Sequence, residues 1–245
     1  MSSLSTEVSP VGSTGSRTAR PVRHFYLGMA IIIALIIGAA FARAAISDLS
    51  HPLSPRPWIL HFHVALCSMW VLLFLGQTLL IDRNRLAWHR TLGSFGVVVG
   101  TLLPIAGMAT AVALARYHIA EGRASDPAAV IGPLSEMAAF GFAFGLAVWW
   151  RSRPEYHRRL MLLASCILTL AAFPPVLSSL SLGHTRYLAD VLMLAGPGRD
   201  WIASRRIHPV YLYGLPIFVL WQLTVRWIYV SEFPMWVSFA HTLVQ

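Results

Sequence analysis

Six ionisable side chains occupy places where chemistry is readily built. His63, Glu136 and Asp190 fall inside long apolar stretches, and His89, His157 and His208 stand just before or at the first residue of such stretches. Neutral imidazole and carboxylate oxygen are ordinary ligands for zinc or manganese, so His63 with Glu136 and Asp190 is a candidate site for a divalent metal ion. The same three groups suit a proton relay, or a buried salt-bridge and hydrogen-bond network with Arg226 that fixes helix packing. The second trio has arginines beside it at Arg90, Arg158 and Arg206. Three imidazoles at one end of a bundle could hold a metal ion or heme b, since paired axial histidines are an established ligation scheme. With the arginines they equally suit an anionic lipid head group, or helix caps that meet lipid phosphate.

Helical spacing places these groups. His63, Trp70 and Gln77 recur every seven residues and Cys67 follows His63 by four, so at 3.6 residues per turn all four share one stripe. Polar groups on a lipid-bathed helix turn toward the bundle, which aims this stripe inward. At 1.5 Å per residue, His63, Glu136 and Asp190 stand about 8, 12 and 9 Å along their helices from the same side. That predicts convergence of the three at one depth. For His89, His157 and His208 to form one site, their three helices must be neighbours at the opposite end.

The elements follow from composition. Of 245 residues, 56% are apolar and 12% charged, against about 45–50% and about 25% in soluble domains, which excludes a soluble domain. Apolar blocks cover 25–46, 58–81, 91–115, 128–150, 159–180 and 209–230, each long enough for a hydrocarbon core of about 30 Å. The stretch 184–206 is half a span by hydropathy alone, because Gly196-Pro197-Gly198 would break or kink a helix and Asp190 and Asp200 are costly in lipid. Charge resolves the parity. All nineteen basic residues are arginine; counting 184–206 as a span puts Arg17, Arg20, Arg23, Arg83, Arg85, Arg90, Arg151, Arg153, Arg158, Arg159, Arg199, Arg205 and Arg206 on the N-terminal side. The positive-inside rule then predicts a cytoplasmic N-terminus and an outside C-terminus. The fold expected is an all-α polytopic membrane bundle of seven transmembrane helices, with six as the alternative. Residues 1–24 read as a disordered cytoplasmic tail and 231–245 as an interfacial C-terminal tail. The same arginine placement attributes the net charge of +9 to topology and anionic lipid, and argues against nucleic acid as a partner.

Several enzyme classes drop out, since the chain has no GxSxG, Walker A, HExxH or GxGxxG motif. Cys67 and Cys166 both lie in apolar blocks and form neither a disulfide framework nor a cysteine metal motif. Gly93, Gly96 and Gly100 mark close helix packing, and Pro104, Pro133, Pro174, Pro175 and Pro216 predict kinks.

An ordered set of short motifs carries a resemblance: Leu60-His61-Phe62-His63 with Trp70 and Gln77, His89-Arg90-x-Leu92-Gly93, His157-Arg158-Arg159-Leu160-Met161-Leu162-Leu163-Ala164, and Arg206-Ile207-His208-Pro209. Over residues 25–230 the chain resembles a family of small, uncharacterised bacterial seven-helix inner-membrane proteins with His-Arg-x-Leu motifs before helices. The resemblance implies that fold and the bacterial cytoplasmic membrane, with no reaction attached. It departs from the family pattern at Gly196-Pro197-Gly198, where an uninterrupted apolar run is expected. The functional expectations are metal or heme binding through bundle histidines, a small-molecule or proton-coupled transporter using Glu136 and Asp190, or an accessory subunit of a membrane complex.

Overall fold

The computed structural model describes the backbone of residues 19–50, 55–123, 125–176 and 182–245, with side chains for 24–50, 55–123, 125–172 and 188–245. Residues 1–18, most of the expected tail, lie outside them. Among the described residues every regular element is helical: α1 (Ala19–Ser50), α2 (Trp58–Asp82), α3 (Leu86–Ala120), α4 (Ile131–Trp149), α5 (Pro154–Ile167), α6 (Thr169–Val176), α7 (Leu182–Ser204), α8 (Pro209–Val230) and α9 (Pro234–Val244). Among the described residues, four helical stretches are long and apolar enough to cross a membrane: His24–Ser50, Trp58–Asp82, Leu86–Ala120 and Pro127–Trp149. Large apolar side chains such as Leu35, Leu72, Ile105, Phe142 and Leu220 point outward, an arrangement compatible with lipid contact.

Local chemistry sets the boundaries. Proline opens α5, α8 and α9, where its missing N–H costs nothing and its fixed φ suits a first turn. Asp126 accepts from the Ala128 amide at 2.8 Å and so caps the 3₁₀ turn Pro127–Val130 that leads into α4. Asn84 turns the chain from α2 to α3 with φ +57°, a conformation that asparagine tolerates. α1 starts at Ala19, earlier than the apolar block. α7 runs unbroken through Pro197, although Gly196-Pro197-Gly198 was expected to interrupt or bend it. A Cβ at Gly196 would collide with the Tyr211 ring, so this glycine lets α8 lie close against α7.

The chain is packed around α5 and α6, which are one helix broken at Leu168. At the break the Cys166 carbonyl accepts both a backbone N–H and the Thr169 hydroxyl, the latter at 2.7 Å. This broken helix touches α1, α4, α7 and α8, and residues 162–170 are all buried. α2 and α3 form a hairpin against α1 and α4, with Trp70, Phe140 and Phe144 in edge-to-face contact between them. Gly100 makes room for that cluster, since a Cβ there would stand 2.7 Å from Trp70 Cζ3.

Two ends of the bundle are tied separately. At one, His24 Nδ1 lies 3.2 Å from Asp82 Oδ1, and the starts of α3, α5 and α8 meet the ends of α2, α4 and α7. At the other, Arg56 pairs with Asp48 at 2.5 Å, Arg116 donates to the Leu243 carbonyl at 2.8 Å, and Trp236 donates to the Ala128 carbonyl at 2.9 Å. α9 therefore lies across the ends of α3 and the turn before α4.

Candidate functional site

The first turns of α3 and α5 set His89 beside His157. Their ring centroids are 6.5 Å apart with planes nearly perpendicular. His157 Nδ1 stands 2.8 Å from the Ala147 carbonyl oxygen, which can only accept, so Nδ1 carries a proton and donates it there. His89 lies against the backbone of Gln77, and its Nδ1 is buried without a hydrogen-bond partner. Both side-chain amide atoms of Gln77 are buried and unpartnered as well. Unsatisfied buried polar atoms cost about 1–3 kcal/mol each, so a group of them at one place calls for an explanation. Gln77 ends the stripe that begins at His63, and α2 delivers it to the imidazole pair.

His208 joins this neighbourhood in a different role. Its ring stacks edge-on against Tyr156, the residue before His157, with centroids 4.6 Å apart. Its Nδ1 accepts from the Val210 amide at 3.2 Å and caps α8. That nitrogen is committed to the helix. Burial, followed by the positive charge of Arg159, holds the His208 pKa below the ordinary imidazole value.

Alongside runs an ion network that sequence reasoning divided between a flanking charge and a costly carboxylate. Arg159, 5% exposed, clamps Asp200, 1% exposed, through Nε–Oδ2 at 2.9 Å and Nη2–Oδ1 at 2.8 Å. Arg199 adds a bond to Asp200 Oδ1 at 2.6 Å, and Arg159 Nη1 reaches Glu155 Oε2 at 2.5 Å. Arg158 also pairs with Glu155. Burial alone would raise the Glu155 pKa, but the hydrogen bond from Arg159 and the nearby guanidinium charges outweigh it and hold the carboxyl below its usual value. Tyr26 lies under Arg158 and Tyr211 under Arg159, at 5.4 and 5.9 Å from guanidinium carbon to ring centre. A carboxylate in a helix read as spanning lipid was the available signal that a cation had to reach it.

The trio from the other half of the bundle is placed as follows. Glu136 lines a small pocket with Ser135, Leu170, Phe218, Trp221, Gln222 and Val225, and Gln222 Nε2 donates to Asp190 at 3.2 Å. Gln222 of α8 thus lines the same pocket as Glu136 and bonds to Asp190. His63 is elsewhere, in the α2–α3–α4 interface, with Nε2 3.5 Å from Cys67 Sγ. Arg226 is exposed and lines a surface groove with Leu223, Trp227 and Val230 instead of facing Glu136. Among the described residues no three His, Cys, Asp or Glu side chains are grouped to hold one metal ion. Comparison with family profiles, curated proteins and solved structures finds no match for this chain.

Proposed function

We propose that this chain is a seven-span membrane protein that binds a transition-metal ion through His89 and His157. The observation that carries the reading is the pair itself: one imidazole oriented by donating Nδ1–H to Ala147, the other with a buried, unpartnered Nδ1. Metal-bound histidines characteristically donate their second nitrogen to a carbonyl, which fixes the tautomer and the ring direction. Imidazole suits zinc, copper, iron and nickel; the Gln77 amide oxygen and water are the further ligands at hand. Supporting the seven spans are α1 to α4, the joined α5–α6, α7 and α8, with thirteen of nineteen arginines, those of the first 23 residues included, assigned to the His89 end. That asymmetry favours a bacterial inner membrane with the His89 end cytoplasmic and in contact with anionic lipid, as in the small seven-helix family that the motifs resemble.

The test is metal analysis and visible absorption of the full-length protein in detergent after loading with Co(II) or Zn(II). About one equivalent is expected, lost in His157→Ala and in His89→Ala. A heme absorption band removed by the same two substitutions would assign the pair to heme iron. Wild-type protein that takes up neither, or variants that bind as well as wild type, would overturn the reading. A second reading, proton-coupled transport, rests on Gln222, which donates to Asp190 and lines the same small pocket as Glu136.

A further inference from the structure

His63 and Cys67 lie one turn apart on α2, with Nε2 and Sγ 3.5 Å from each other, and His63 Nδ1 is buried without a hydrogen-bond partner. A third donor comes from α4. A Cβ placed on Gly107 of α3 would collide with Met137 Sδ and stand 2.9 Å from His63 Cε1, so the thioether and the imidazole approach each other over that bare backbone. Glycine inside a helix is unfavourable by about 1 kcal/mol relative to alanine. Here its absence of side chain is what admits the methionine and the histidine together. Met137 is buried, and Thr110 one turn further along α3 donates to the Ile59 carbonyl at 3.2 Å, which locks α2 against α3 beside the cluster.

We propose that His63, Cys67 and Met137 form a site for a soft monovalent metal ion, Cu(I) in particular, separate from the His89–His157 pair. One imidazole nitrogen, one thiolate and one thioether are a soft donor set, which selects Cu(I) over hard cations. Charge points the same way. On binding, the Cys67 S–H bond breaks, a Cu–S bond forms, and the proton leaves to water; thiolate and Cu(I) then sum to zero. Zn(II) with the same single thiolate would leave a net positive charge inside the bundle, where uncompensated charge is expensive. No change of oxidation state is involved, because copper enters as Cu(I). The two sites are joined by the α2 stripe, Gln77 standing about 21 Å from His63 along the helix axis.

The experiment is titration of the full-length protein in detergent with Cu(I) against bicinchoninate as competing chelator, under reductant and without oxygen. The His89→Ala/His157→Ala background removes the other pair, so failure of one site is read apart from failure of the other. One equivalent of Cu(I) should bind, with both sulfur and nitrogen in its X-ray absorption fine structure. Cys67→Ser should weaken it at least a hundredfold and Met137→Leu, which preserves volume, about tenfold, while Cys166→Ser leaves it unchanged. Gly107→Ala, which pushes the thioether and imidazole apart, should also lose the site. If the chain takes up no Cu(I), binds Zn(II) as tightly, or binds Cu(I) equally well as Cys67→Ser and Met137→Leu, the proposal fails.

Discussion

Asp200 shows how one residue can hold several helices. Its carboxylate is 1% exposed and receives Arg159 from α5 and Arg199 from its own helix, and the Arg159 guanidinium lies over Tyr211 of α8. Removing one partner of a buried ion pair costs about 3–5 kcal/mol, since the other charge stays buried without compensation. Arg159 retains Glu155, so Asp200→Asn should cost about 3 kcal/mol, the lower end of that range. The measurement is thermal unfolding of the detergent-solubilised protein, where an unchanged midpoint would contradict the assignment. The pairing also shows the limit of reading residues singly. Arg159 sits in a run of arginines before an apolar block and counts naturally as a flanking charge; only the fold reveals that Asp200, 41 residues later, returns to its side. Met137 and Glu136 make the same point. Adjacent in sequence, they face about 100° apart on α4, one toward His63 and the other toward Gln222.

At the scale of elements, the joint between α7 and α8 is the pH-sensitive one. His208 caps α8 by accepting from Val210, which requires an unprotonated Nδ1. Burial and Arg159 depress its folded pKa below the ordinary value of 6.5. Between that value and the lower folded one, the unfolded chain binds more protons than the folded chain, so stability falls as pH falls. Thermal midpoints should therefore drop as pH is taken from 7 to 5, and His208→Asn, which caps without titrating, should flatten that part of the profile. An identical slope in the variant would remove His208 as the cause. Glu155 adds a second loss at lower pH, because its depressed pKa makes its pairing with Arg159 a contribution that disappears only as the pH passes below the carboxylate range. The helices were the most legible part of the chain. Apolar runs mark where α2, α4 and α8 start and stop to within three residues, while α3 extends five residues beyond its apolar block at each end, and the fixed rise per residue places histidines near helix starts. Azimuth is not written in a single helix, because it depends on which neighbours the helix acquires. The break at Leu168 was equally hidden, since its stabilising bond is local and Thr169 has no distinctive pattern around it.

For the whole molecule, orientation is the property that charge decides. The end where α3, α5 and α8 begin carries Arg83, Arg85, Arg90, Arg151, Arg153, Arg158, Arg205 and Arg206, while the end sealed by α9 has Arg43, Arg56, Arg116, Arg123, Arg186 and Arg226. Of the latter, Arg56 pairs with Asp48, Arg116 donates to the Leu243 carbonyl, and Arg123 is close to Glu121 and Asp126 in the chain. By the positive-inside rule this asymmetry predicts that the arginine-rich end is the one retained in the cytoplasm. Reporter fusions after Arg85, Arg153 and Arg206 should report the cytoplasm, and fusions near Pro55, near Arg123 and at the C-terminus should report the outside. The informative fusion is the last. An even number of spans would return the C-terminus to the side of the N-terminus, would take α7 out of the membrane, and would leave the Arg159–Asp200 clamp joining a span to an extramembrane helix. An outside C-terminus is the result expected of seven spans, the count that brings Arg199, Arg205, Arg206 and His208 to the same end as His89 and His157.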